Sequence, residues 1–178
     1  MEYRIIRSRR KTLAIEITPH GEILVRAPLR LAAREIRRFV DSKQPWISAH
    51  LSALPIATPL TREEHNALVH SARQVLPQKA AHYAKLLGVT YGRITIRSQK
   101  TRWGSCAASG NLSFNCLLML APEEIQDYVV VHELCHRKEM NHSSAFWSEV
   151  ETIMPDYRSR KAWLKEHGAS LLARLPLL

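Results

Sequence analysis

Four residues in one short stretch have types and spacing suited to chemistry. In "VVVHELCHRKEMNHSSAFW", from Val129 to Trp147, they are His132, Glu133, His136 and His142. Positions i and i+4 of an α-helix lie one turn apart and about 40° around its axis, so imidazoles at 132 and 136 can grip one ion together. With Glu133 between them they spell H-E-x-x-H. In that motif two neutral imidazoles hold Zn²⁺ while the glutamate takes a proton from the metal-bound water, whose pKa the metal lowers to about 7. The glutamate has to stay off the metal to pass that proton on. A catalytic zinc takes three protein ligands and keeps a fourth position open.

His142 is the candidate third ligand, at the spacing of the longer pattern H-E-x-x-H-x-x-G-x-x-H. Glu139 stands where that pattern has its glycine, so the chain must turn back by another route. Asn141 is the residue best able to take a left-handed conformation there. This departure, and the lack of a following Met-turn signature, set the chain apart from metzincins. Nitrogen donors discriminate weakly among divalent ions, so a metal other than zinc stays open. Cys135 points away from the two helical histidines and is expected in the core. Three buried, hydrogen-bonded core histidines are the competing explanation. Their clustering near one helix end counts against it.

The motif needs a helix to present it. Pro122 suits a first helical position, and Glu123 and Glu124 set negative charge on the positive end of the helix dipole. Arg137 and Lys138 fall at the other end, where cations are favoured. Ile125, Val129, His132 and His136 continue a single apolar stripe, so the histidines face the interior. Upstream, "RITIRSQKTRWGSCAASGNLSFNCLLML" alternates at Ile94/Ile96 and Leu112/Phe114 around glycines, which predicts two or three strands of a small antiparallel sheet. Thr61 and Glu64 form a capping box that opens a helix running to Leu87 and stopping at Gly88, with Pro77 ending or kinking it midway. Downstream, Phe146, Trp147, Val150 and Ile153 share a helix face, and Trp163 and Leu164 dock the last helix. Glu149, Glu151 and Asp156 are the carboxylates near enough to orient the imidazoles.

The N-terminal part reads differently. "TLAIEITPHGEILVRAP" predicts a β-hairpin broken at "PHG", followed by a helix over about 30–43 and a shorter one after Pro45. "PIATPLT" at 55–61 has two prolines and no periodicity, and reads as a linker. The chain thus divides into a basic hairpin-and-helix subdomain over 1–58 and the motif-bearing part over 59–178. No internal repeat is apparent.

Of the 178 residues, 26 are Lys or Arg and 16 Asp or Glu, a net charge of +10. Residues 1–60 hold 11 of these bases against 5 acids. That favours an anionic partner, nucleic acid included, although aromatic residues are not interleaved with the basic runs. No secretory h-region or membrane-length apolar run is present, and the 3 cysteines lack framework spacing. The expectation is a cytoplasmic protein without a membrane partner.

"TRWGSC", "GNLSFN", "YVVVHELCH", "NHSSAFW" and "PDYRSRKAWL" together resemble the YgjP-like metallopeptidases, zincin-type H-E-x-x-H hydrolases related to SprT-like proteins. The chain has Cys116 where that family usually has a tryptophan. The resemblance implies an α+β, zincin-like fold: a small antiparallel sheet packed on the H-E-x-x-H helix, with the N-terminal hairpin subdomain attached. It implies that His132, His136 and His142 bind a divalent metal, zinc first, and that Glu133 is the catalytic base. Zincins bind substrate extended along a sheet edge, which makes "KTRWGSC" the candidate edge. There Arg102 is expected to clamp a carboxylate or phosphate and Trp103 to wall the pocket, while Asn115 on the next strand meets substrate or a ligand histidine. The leading expectation is a metallopeptidase acting on peptide or protein. The alternatives are hydrolysis of a non-peptide such as a nucleotide phosphoanhydride, or a nucleic-acid-binding module with a structural metal.

Overall fold

The computed structural model describes residues 2–18, 21–53 and 58–176. The chain divides into two compact units, Met1–Ala57 and Thr58–Leu178. No helix among the described residues is long and apolar enough to cross a membrane.

The first unit contains β1 (Arg4–Ser8), β2 (Ala14–Ile17), β3 (Ile23–Pro28), α1 (Ala33–Ser42) and α2 (Gln44–Ala53). The expected hairpin is β2 with β3, antiparallel, with Ile15 opposite Val25 and Ile17 opposite Ile23. Pro19 and His20 of its break lie outside the described residues. Gly21 comes next at φ +80°, a conformation open to glycine but strained for other residues. β1, which alternation alone did not reveal, pairs in parallel with the other edge of β3, giving the order β1-β3-β2. Arg7 closes the end of β3 by donating to the carbonyls of Pro28, Leu29 and Leu31 at 3.1, 3.0 and 2.8 Å. Ile23, Val25 and Ala27 share one face of β3 and pack on Ile36, Val40 and Ile47, as period-2 and period-3.6 patterning requires.

The second unit opens on α3 (Arg62–Leu87). Both arms of its capping box form: Thr61 Oγ1 accepts from Glu64 N at 3.2 Å, and Glu64 Oε2 from Thr61 N at 2.7 Å. Gly88 ends it at φ +66°. The helix runs unbroken through Pro77 for 26 residues. One missing N–H is outweighed by a stripe of Ala72, Leu76, Ala80 and Ala84 buried in the core. Part of the stretch expected to be linker, residues 55–57, lies outside the described residues.

β4 (Ile94–Arg97), β5 (Gly104–Cys106) and β6 (Leu112–Asn115) form a sheet in the order β4-β6-β5. It is mixed, not antiparallel throughout: β5 runs antiparallel to β6, but β4 runs parallel to it. Alternation reports which face a residue takes and is silent on strand direction. A 3₁₀ segment (Cys116–Leu120) leads to α4 (Glu123–Cys135), then α5 (Ser144–Ile153) and α6 (Tyr157–Leu172). Phe114, Leu117, Leu118, Leu134 and Phe146 are fully buried between these elements. Lys79 ties α3 to α4 by ion pairs to Glu123 and Asp127 at 2.8 and 2.7 Å.

The two sheets have one topology. In each, the third strand is central, the first is parallel to it and the second antiparallel. The hairpin ladders match rung for rung: Ile15–Val25, Glu16–Leu24 and Ile17–Ile23 correspond to Gly104–Phe114, Ser105–Ser113 and Cys106–Leu112. Both hairpin turns hold a positive-φ glycine, Gly21 and Gly110. The same constant sequence offset carries Ile36, Phe39 and Val40 of α1 onto Ile125, Tyr128 and Val129 of α4. The chain therefore holds a βββα arrangement twice, a likeness of topology that no repeated sequence motif announces. Few identities survive between the copies, α2 and α3 lie between them, and the parallel ladders are not in the same register, Ile5 pairing with Val25 but Ile94 with Leu112, so the likeness rests on strand order and the hairpin.

Candidate metal centre

α4 delivers His132 and Glu133 in its last turn, and His136 is its C-cap. The helix therefore stops at the motif instead of running past it. Arg137 lies beyond the end and holds it in place, donating to Thr90 O at 2.9 Å and Ala108 O at 3.3 Å. The return to His142 is made by an Asn141 side chain that accepts from Ser143 N at 3.1 Å, while Ser143 caps α5. No non-glycine residue among those described has a positive φ, so the left-handed turn expected of Asn141 is replaced by this side-chain turn.

Between them, the three histidines offer ligand atoms that all lie within 4.8 Å of one another. His132 Nε2 and His142 Nε2 are 3.0 Å apart. His136 Nδ1 lies 3.0 Å from the carbonyl of Glu139. Donation of Nδ1–H to that carbonyl leaves the Nε2 lone pair for the cluster. Phe146 backs His136 at 4.6 Å between ring centroids, and Trp147 stacks on His142 at 5.7 Å. Burial pushes His132 down to about 3, helped by His136, His142 and Lys161, and His142 is lowered by the same kind of causes. Both rings are thus neutral at neutral pH, the form that ligates. The donor set, its convergence and its protonation fit a divalent ion with nitrogen preference.

Glu133 is buried beside them. Burial raises its carboxyl to about 8, opposed by the charge of Arg102 and the backbone N–H of Cys106. Its position depends on a residue that sequence reasoning passed over. A Cβ on Gly104 would stand 2.6 Å from Glu133 Oε1 and 2.7 Å from its Cγ. Only glycine leaves β5 open to the carboxylate, and a glycine inside a strand was the available signal.

The other expected residues separate. Arg102 is exposed and close enough for its charge to act on Glu133. Trp103 both lines the cavity beside Glu133 and wedges against α6, where a Cβ on Gly168 would come 3.2 Å from its Nε1. Asn115 is enclosed by its own loop. It is fully buried, donates to the carbonyls of Gln99 and Arg102 at 2.7 and 3.0 Å, and accepts from Leu117 N at 3.1 Å. It therefore shapes the loop that carries Arg102. The carboxylates considered as partners of the imidazoles are engaged elsewhere: Glu149 with Lys138, Glu151 with Arg158 and Asp156 with Arg160. Cys135 is buried in the core, its thiol pushed up to about 12 by burial. Lys161 was also missed; its Nζ lies 4.0 Å from the Trp147 ring and its charge reaches His132 and His142.

Two cavities meet at Gly104, His132 and Glu133. One, of about 190 Å³, is walled by Trp103, Tyr128, Val129 and Leu164. The other, of about 260 Å³, extends past Ser105 and Cys106 to His136, Met140 and His142.

A helix-borne H-E-x-x-H with a third converging histidine, packed on a small mixed sheet in an α+β chain, is the arrangement of a metal-dependent hydrolase. The chain belongs to the YgjP-like metallopeptidase domain family, whose model matches residues 11–69 and 59–167. Among solved structures it is similar to the metallopeptidase zymogen of Pyrococcus abyssi abylysin, at 24% identity over 52% of this chain and 94% of that one, with a TM-score of 0.47. It is also similar to the metallopeptidase zymogen of Methanocaldococcus jannaschii jannalysin, at 19% identity over 51% and 94%, with a TM-score of 0.46. No curated protein matches the chain.

Proposed function

We propose that the chain is a zinc-dependent peptidase in which His132, His136 and His142 hold the ion and Glu133 is the catalytic base. The convergence of three imidazoles beside a buried glutamate is the observation that carries this reading. Zinc bound there would polarise the scissile carbonyl and acidify a water. Glu133, seated against Gly104 and the Cys106 N–H, would be returned to the carboxylate by the charge of a bound cation, and then accepts the proton of the attacking water and hands it to the leaving amine. β5 is the edge strand of its sheet, so an extended peptide can add to it while its side chains enter the cavities on either side of Glu133. Trp103 walls one of them, and Arg102 offers a fork for a substrate carboxylate.

A second reading keeps the metal centre and changes the electrophile to a nucleotide phosphoanhydride. It draws on the two cations whose charge reaches the site, Arg102 and Lys161. In either case residues 59–178 carry the catalysis, and the basic region 1–58, with Arg34, Arg37 and Arg38 exposed on α1, is available to nucleic acid. The protein is assigned to the cytoplasm on its unpaired thiols at Cys106, Cys116 and Cys135.

The test is metal content by mass spectrometry for wild type and His142→Ala, followed by hydrolysis assays on peptides and nucleoside triphosphates with Glu133→Gln as control. One zinc per chain, lost in His142→Ala, with peptide cleavage lost in Glu133→Gln, is the expected result. Wild-type protein that takes up no zinc refutes the metal site, and cleavage of triphosphates alone selects the second reading.

A further inference from the structure

The repeated βββα arrangement gives the metal-bearing cleft a counterpart in the first unit. The cavity beside Glu133 includes Gly104 of the edge strand and Tyr128 and His132 of the helix. In the first unit Ile15, Phe39, Lys43 and Trp46 line a cavity of about 230 Å³. The offset relating the copies carries Ile15 onto Gly104, Phe39 onto Tyr128 and Lys43 onto His132. The same offset puts Gln44 in the place of Glu133 and Ile47 in that of His136. Lysine, glutamine and a fully buried isoleucine cannot form a metal centre, so the groove is present without the chemistry.

We propose that this groove is a non-catalytic binding site for an extended, acidic and apolar polypeptide segment, which joins the sheet as a strand along β2. The choice of a peptide ligand rests on the reading of the metal-bearing cleft as a peptide cleft. Four observations of the first unit support it directly. β2 is the edge of its sheet, and among the described residues nothing pairs with its outer side; such an edge presents unpaired N–H and C=O groups to an incoming strand. Trp46 is 42% exposed, yet its ring is held at 4.1 Å between centroids from that of His50. A pre-positioned, solvent-facing aromatic binds apolar side chains at little entropic cost. Lys43 is exposed at the end of α1 and has no ion-pair partner among the described residues, so it matches a carboxylate on the segment. The basic excess of residues 1–60 repels basic segments and attracts acidic ones.

The experiment uses the full chain carrying Glu133→Gln, labelled with ¹⁵N at its tryptophans, and a capped peptide alternating valine and glutamate. The Trp46 indole signal, assigned by Trp46→Phe, shifts and saturates on titration. Lys43→Glu and Trp46→Ala each weaken binding about tenfold or more, replacing the peptide's glutamates by lysine abolishes it, and His142→Ala leaves it unchanged. The proposal is overturned if the shifts are confined to Trp103, Trp147 or Trp163, if nothing saturates, or if Lys43→Glu has no effect. It is equally overturned if oligothymidylate moves the Trp46 signal and the peptide does not. Cleavage of the same peptide by zinc-loaded wild type is read separately. Saturable binding at Trp46 without any cleavage leaves this inference standing and counts against the peptidase reading; cleavage without a Trp46 shift does the reverse.

Discussion

The two copies of the βββα arrangement share strand order, hairpin register and a turn glycine, and they diverge beyond the last shared helical valine. After Val40, α1 stops at Ser42 and α2 resumes at Gln44; after Val129, α4 runs on to Cys135. In the first copy the next turns supply Lys43, Gln44 and Ile47; in the second they supply His132, Glu133 and His136. The facing strand differs in step. Ile15 fills the rung that Gly104 leaves empty for the Glu133 carboxylate. The scaffold is therefore indifferent to chemistry. A catalytic copy needs polar residues on the helix, a vacancy on the strand opposite, and a third ligand, which here comes from the segment leading into α5.

That contrast can be broken at its polar half first. Glu133→Gln should cut hydrolysis by about 10²–10⁴-fold while zinc content stays at the wild-type level, read by steady-state rates and mass spectrometry on one sample. His142→Ala should weaken zinc by more than the roughly 10–100-fold that loss of a ligand's hydrogen-bond partner costs, measured by competition with a chelator. The strand half comes next. Gly104→Ala drives a Cβ toward the carboxylate, and a misplacement of about 1 Å can cost about 10²-fold in rate. Its signature is a fall in kcat with zinc retained. The converse change, Ile15→Gly, should confer no activity and only destabilise the first unit.

A smaller effect is visible in stability against pH for metal-free protein. Glu133 is raised to about 8 against an unfolded value near that of a free glutamate, so between those values the folded state binds more protons and stability falls as pH rises. His132, lowered to about 3, works the other way: between about 3 and the usual histidine value the unfolded state binds more protons, and stability rises with pH. Above the usual histidine value and up to about 8, Glu133 acts without that opposition. There the midpoint of urea unfolding should decline with pH in wild type and lose that component in Glu133→Gln. A slope difference of either sign other than this breaks the assignment of the buried carboxyl. The smallest effect belongs to the first copy. Lys43→Glu should leave zinc content unchanged and stability within about 0.5 kcal/mol, since the side chain is exposed.

Much of the centre was legible because it is local. H-E-x-x-H puts two of the proposed ligands and the proposed base within one helical turn, and no packing decision can separate them. The capping box at Thr61 and the stop at Gly88 were legible for the same reason. Gly104 was not, because its meaning comes from Glu133 across the sheet–helix contact. The surroundings of Asn115 were not legible either, because its amide could be seen to be polar, but not to be enclosed by the carbonyls of Gln99 and Arg102. Lys161 enters from a helix far along the chain.

By itself, then, the sequence determined the helix that carries the motif, the spacing of its two histidines and the glutamate between them, and the basic character of the first region. These come from spacing within a few residues and from composition. The tertiary structure alone decided that β4 runs parallel to β6, that the strand facing Glu133 must be glycine there, and that the same strand order occurs twice, once beside the histidine cluster and once without it. Each of those is a relation between segments distant in sequence, fixed by which backbone edges pair and which side chains share a volume. Neither periodicity nor residue type records it.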